Sequence, residues 1–243
     1  MTKPPGPKLR LQVARQAIRD LRGYTNPARL AATLSYFPSA MENLGVAVPQ
    51  IRKVARAVRK QTKEWSDSEV HDLAFAIIAE NTLEGRQLAY ELFGLRTSLR
   101  DGLSIPKLKR LGKGMDNWTS VDVFSTTIAG QAWRAGSLTD AEVMRWTNSR
   151  DRWWRRAALA STIPLNMASR GGTGDAQRTL KICQALAGDK DEMVAKGLSW
   201  ALRSLIPIDE SRVEDFLSEH EALMAARVKR EVRNKLETGR KNR

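Results

Sequence analysis

Asp151-Arg152-Trp153-Trp154-Arg155-Arg156-Ala157-Ala158-Leu159 lines up with Asp191-Glu192-Met193-Val194-Ala195-Lys196-Gly197-Leu198-Ser199 at an offset of 40 residues, and Asp116-Asn117-Trp118 precedes the first stretch by 35. Periods of this length fit paired-helix repeats of the HEAT class, where each pair buries its face on the next and curvature makes a concave wall. Asp122, Arg156 and Lys196, spaced by 34 and 40 residues, then take near-equivalent positions in consecutive repeats. They would project from the same wall.

The rest of the chain agrees with that reading. Apolar residues three and four apart recur in Leu9–Leu21, Ile51–Val58, Val70–Ile78, Leu88–Leu95, Val121–Ala132, Ala157–Leu165, Leu180–Leu186 and Val194–Leu205, with no stretch of strict alternation. An all-α protein is predicted. Ser66-Asp67-Ser68-Glu69, Thr139-Asp140-Ala141-Glu142 and Asp209-Glu210-Ser211 each offer a side-chain oxygen to the open N–H groups of a helix start. The longer irregular segments are the Gly-rich stretch Arg170-Gly171-Gly172-Thr173-Gly174-Asp175 and the region of Ser104-Ile105-Pro106. Neither is long enough to link domains. The prediction is one HEAT-like helical-repeat solenoid over residues 1–243 with a concave basic groove, an N-terminal extension of about residues 1–7 and a basic tail of about 236–243.

Composition bounds the function. The chain has 243 residues, 42% of them hydrophobic, which is ample for a continuous core. Lys and Arg number 41 against 27 Asp and Glu, a net charge of +14 that gathers polyanions. Nucleic acid is the leading partner. No run of 18 apolar residues and no apolar region after Met1-Thr2-Lys3-Pro4-Pro5 suggests a membrane or an export signal, so a monomer of the bacterial cytosol or nucleoid is expected. A lone Cys183 with only His71 and His220 argues against an internal disulfide, four-ligand zinc or an iron–sulfur cluster. No metal or cofactor is implied, and both histidines read as surface residues. The basic run from Arg227 to Arg243, eight cations against Glu231 and Glu237, reads as a solvated helix with a frayed tail or as a phosphate-contacting arm. Arg52, Lys53, Arg56, Arg59 and Lys60 leave the same two readings open.

Spacing within helices narrows the site. Trp118 and Asp122 are four apart and share a face, as do Lys196 and Trp200, with Arg203 next along. Tryptophan on an apolar helix face is commonly core, and Trp65, Trp133 and Trp146 are read that way. Asp122 is different: it interrupts Ser120-Val121-Asp122-Val123-Phe124, a largely apolar run where a charge is costly unless it works.

Asn117-Trp118-Thr119-Ser120-Val121-Asp122, Trp153-Trp154-Arg155-Arg156-Ala157-Ala158-Leu159 and Lys196-Gly197-Leu198-Ser199-Trp200-Ala201-Leu202-Arg203 resemble the three central motifs of the AlkD-type DNA alkylation-repair glycosylases. Asn43-Leu44-Gly45-Val46-Ala47-Val48-Pro49-Gln50-Ile51-Arg52 is similar to that family's Leu-Gly-Ile followed by Pro and Arg. The resemblance implies a HEAT-like solenoid that hydrolyses the N-glycosidic bond of N3- and N7-alkylated purines in double-stranded DNA, without extruding the base. By position, Trp118, Asp122, Arg156 and Trp200 match the family's active-site residues. Two departures stand out: the loop at Arg170–Asp175 lengthens the interval from Arg156 to Trp200, and Asn117 stands where the family often has an aromatic.

The chemistry follows from the residues so matched. A purine alkylated at N3 or N7 is already cationic and leaves as a neutral base, so no general acid is needed and one carboxylate suffices. Asp122 would face the positive charge that builds on the sugar, and Trp118 and Trp200 would offer it indole faces. Arg156 has a planar fork suited to phosphate, with Lys196 and Arg203 on the same track. With no lysine beside Trp118 and Asp122 to form a Schiff base, a monofunctional enzyme using water is expected, and bulky adducts should be accepted. The alternative is a HEAT-like module that binds damaged or branched DNA and breaks no bond.

Overall fold

The computed structural model describes residues 6–36, 38–101 and 103–242, and every regular element in them is helical. The all-α prediction holds. The predicted N-terminal extension falls partly outside the described residues. Contacts group the chain into two compact units, Met1–Ile128 and Ala129–Arg243.

The first unit contains α1 (Pro7–Arg22), α2 (Pro27–Tyr36), α3 (Val48–Gln61), α4 (Asp67–Ala79), α5 (Leu83–Leu95), α6 (Ser98–Asp101), α7 (Ile105–Gly112) and α8 (Trp118–Phe124). Helices α1 and α3 each bury one apolar stripe, Val13, Ala14, Ala17, Ile18 and Leu21 on the first and Ile51, Val54, Ala55 and Val58 on the second. They pair with each other and are followed by the pair α4 and α5, so that α1 packs on α4, α3 on α5, and α5 on α8. Contact at the α1–α5 crossing is close, since a Cβ on Gly85 would lie 2.6 Å from Cδ1 of Ile18.

The second unit contains α9 (Gly130–Arg134), α10 (Asp140–Thr147), α11 (Arg152–Ala160), α12 (Ile163–Asn166), α13 (Ala176–Ala185), α14 (Glu192–Leu205), α15 (Glu210–His220) and α16 (Ala226–Thr238). Here two rows are plain: α10, α13 and α15 pack in series, as do α11, α14 and α16, with α10 against α11 and α13 against α14 as rungs. Such a ladder is how helical repeats share apolar faces.

The predicted caps form. Ser66 and Glu69 make a reciprocal capping box, the Thr139 hydroxyl accepts from the Glu142 amide, and Asp209 accepts from the Arg212 amide. Two segments differ from the prediction. Ser104-Ile105-Pro106 is a helix start, because proline in a first turn gives up an N–H that has no intrahelical partner anyway. The apolar run Val121–Ala132 is not one regular helix: Ser125–Ala129 forms a π-helical turn between α8 and α9. Apolar spacing carries no signal for such a turn.

Burial sorts the remaining expectations. Trp133 and Trp146 are core at 1% and 4% exposure, and Trp65 is half-buried. The surface reading of His71 is corrected: it is 3% exposed, stacked on Phe93, with Nε2 2.8 Å from the Leu99 carbonyl. A histidine among Val70, Leu73 and Phe75 fills the core once one ring nitrogen finds a carbonyl. The helix read in the basic run forms as α16, which ends at Thr238 and is not solvated all round, since it buries Val228, Glu231 and Val232. Among the described residues, no helix is long and apolar enough to cross a membrane.

Candidate functional site

The start of α8 is fixed from three directions. Asn117 caps it, accepting from the Ser120 amide at 2.9 Å, and is completely buried. That accounts for an amide side chain at a position where the related motif often has a ring: the cap needs an acceptor. Asn117 also donates to Asp116, which in turn accepts from the Ser39 hydroxyl at 2.8 Å and from the Ala40 amide at 2.5 Å. Behind them, buried Arg86 of α5 donates to the carbonyls of Leu111 and Lys113, and Tyr90 donates to Leu111 as well. A buried guanidinium surrounded by carbonyls thus holds the link that leads into α8.

Trp118 opens α8 and Asp122 lies one turn on, both half-buried beside fully buried Val121 and Phe124. The carbonyl of Asp122 accepts from the Ser125 amide and from the Thr126 hydroxyl at 2.7 Å, where the π turn begins. Tyr36, at the end of α2, meets the Trp118 ring edge-on with centroids 6.0 Å apart and planes at 85°. It is 73% exposed. Sequence reasoning missed Tyr36 and Asp116, because their partners lie 82 and 77 positions away and no local pattern marks them.

The motif at Asn43–Arg52 has a structural account. The amides of Leu44 and Val46 both donate to the buried Glu84 carboxylate, at 2.9 and 3.0 Å. Gly45 between them has φ +69°, and a Cβ there would lie 2.8 Å from the Asn26 carbonyl. Only glycine adopts that turn at so close an approach.

The second unit holds Arg156, Lys196, Trp200 and Arg203. Asp151 caps α11, and Arg156 follows on the side of the helix that faces α14. It is buried, 6% exposed, and its Nη1 donates to the Met193 carbonyl at 2.6 Å. The two helices pass in ordinary van der Waals contact here, since a Cβ on Gly197 would lie 3.5 Å from Cγ of Arg156. Arg156 is therefore joined to the first turns of α14, and is not the open, solvent-facing fork that a phosphate contact suggests. Lys196, on the same stretch of α14, pairs with Glu192 at 2.9 Å.

Trp200 and Arg203 line one cleft of about 420 Å³ in this unit, with Met167, Ala168, Pro207 and Ile208 as apolar walls and Lys235 and Lys241 on the rim. Burial lowers the Arg203 pKa, opposed by the nearby Glu231 carboxylate. Its Nε donates to Ser199, whose hydroxyl donates to buried Glu231 at 2.6 Å, and Lys241 reaches Glu231 at 3.5 Å. The two rim lysines come from the C-terminal basic run, which sequence alone left as tail or arm.

Trp118, Asp122 and Tyr36 lie in the first unit, and Arg156, Lys196, Trp200 and Arg203 in the second. The family model described as DNA alkylation repair enzyme matches residues 17–236. No curated protein matches the chain.

Proposed function

The chain belongs to the DNA alkylation repair enzyme family, and on that premise we propose that it hydrolyses the N-glycosidic bond of cationic N3- and N7-alkylated purines in duplex DNA without extruding the base. The observation that carries this reading is a half-buried carboxylate, Asp122, one turn from a half-buried indole that a tyrosine edge already orients.

The lesion base leaves neutral, so the barrier is set by positive charge developing on the deoxyribose. An anion about 4 Å from that charge contributes on the order of 4 kcal/mol at an effective dielectric near 20, about three powers of ten in rate. Asp122 takes that role and orients the attacking water. Trp118 and Trp200 present ring faces to the same charge, each contributing about 0.5–2 kcal/mol. Lys196 and Arg203 serve backbone phosphate, and Arg156 contributes its charge from a position tied to α14. Water as the nucleophile leaves an abasic site and an intact strand. On this reading the protein acts as a monomer, and bulky cationic adducts are substrates too.

The test is single-turnover release of 7-methylguanine from duplex DNA. Asp122→Asn is expected to remove about three powers of ten of the rate while duplex affinity stays within twofold, because the carboxylate matters once charge develops. Combined with Trp200→Phe, it should give less than the product of the two single losses, as expected of groups acting on one transition state. Equal loss of binding and rate in Asp122→Asn would leave a structural aspartate and a DNA-binding module that breaks no bond.

A further inference from the structure

We propose that a basic cleft in the first unit, between the C-terminal end of α3 and the ends of α4 and α5, is a second anion site that seats backbone phosphates of duplex DNA. The cleft has a volume of about 570 Å³ and an apolar floor of Val70, Leu92 and Leu99. Arg56, Arg59 and Lys60 line it from α3 and are exposed, and among the described residues no carboxylate pairs with any of the three. Arg96 joins them from the end of α5, 36 positions beyond Lys60.

Arg96 is what makes this more than a solvated helix face. Its guanidinium is held on two sides, by Asp67 at 2.6 Å and by the Trp65 carbonyl at 2.8 Å, so it is presented in one orientation. Asp67 offsets one charge, and Lys63, also lining the cleft, pairs loosely with exposed Glu64 at 3.8 Å. A clear excess of cations remains.

The shape argues for a polymer backbone over a small anion. Arg56 and Lys60 stand one helical turn apart, about 6 Å along the axis, and one DNA strand passes about two phosphates over that length at ~3.4 Å each. Apart from the cations, the polar side chain lining the cleft is buried Thr62, whose hydroxyl donates to the Val58 carbonyl, so recognition is by charge and independent of sequence. Helix α5 packs on both α3 and α8, and two interaxial steps of about 8–10 Å put the cleft roughly five base pairs from the nucleotide at Asp122. That last placement rests on the reading of Asp122 given above; the site itself does not.

The experiment measures affinity for undamaged duplex DNA as a function of salt, for the intact chain and for the triple variant Arg56→Gln, Arg59→Gln, Lys60→Gln. The slope of log Kobs against log salt is expected to fall by about 1.8, at roughly 0.9 for each of the two phosphates that are no longer neutralised. Arg56→Lys with Arg59→Lys keeps the charge and should keep the slope, which excludes misfolding as the cause. An unchanged slope in the triple variant, or an equal loss in the charge-keeping one, overturns the proposal. If the intact chain releases no base yet the slope falls, the phosphate site stands and the glycosylase reading fails.

Discussion

Truncating Tyr36 to alanine removes the ring that meets Trp118 edge-on while baring little apolar surface, because the side chain is 73% exposed. An aromatic pair of this geometry contributes about 0.5–1.5 kcal/mol. Tyr36→Ala should therefore slow base release by up to about tenfold while lowering the melting temperature by no more than a few degrees, measured by single turnover and by calorimetry. Arg156→Ala should do the opposite of what a phosphate ligand would do. It strips the Met193 carbonyl of a charged donor in a buried setting, which costs about 1.5–3 kcal/mol, so the melting temperature should fall by several degrees. A lower salt slope at an unchanged melting temperature would return Arg156 to the phosphate track. Trp118 and Asp122 were legible because a four-residue spacing fixes a shared face. The burial of Arg156 was not, since nothing in Trp153–Leu159 says that α14 passes at Gly197.

Helix α4 shows how an element records pH. The Leu99 carbonyl can only accept, so Nε2 of His71 carries the proton, and Nδ1 faces the Lys107 ammonium at 3.4 Å and accepts from it. Burial lowers the His71 pKa, and Lys107 lowers it further against the opposing Leu99 bond and the Asp67 and Asp72 charges. The unfolded chain then binds the proton at a higher pH than the folded one, so stability is full above about pH 6.5 and declines as pH falls through that value. Melting temperature between pH 7.5 and 5 should drop in the intact chain and drop less in His71→Gln. Identical pH profiles would show that His71 takes up its proton equally in the folded and unfolded chains. The elements themselves were largely readable from caps and apolar spacing. What was not readable is the π turn after Asp122, where the ladder of backbone bonds loosens without any change in side-chain pattern.

Taken as a whole, the molecule carries +14, a charge that favours any duplex alike, so under the proposed function its selectivity comes from the chemical step. The motifs hold a single carboxylate and no acid able to protonate a leaving base. Cationic 7-methylguanine should be released, a bulky cationic N3-adenine adduct should be released within about tenfold of it, and neutral hypoxanthine should remain. Efficient hypoxanthine release measured under the same conditions would refute the mechanism, and failure on the bulky adduct alone would refute its open-groove part. The ladder of the second unit adds a dynamic consequence. Helix α16 ends its row, packed on α14, so it can breathe by itself at a fraction of the global unfolding free energy. When it does, Ser199 loses Glu231 and the floor beside Trp200 loosens. Amide exchange in α16 should then outpace that in α11, with the Trp200 cleft opening and closing at the rate of its last helix.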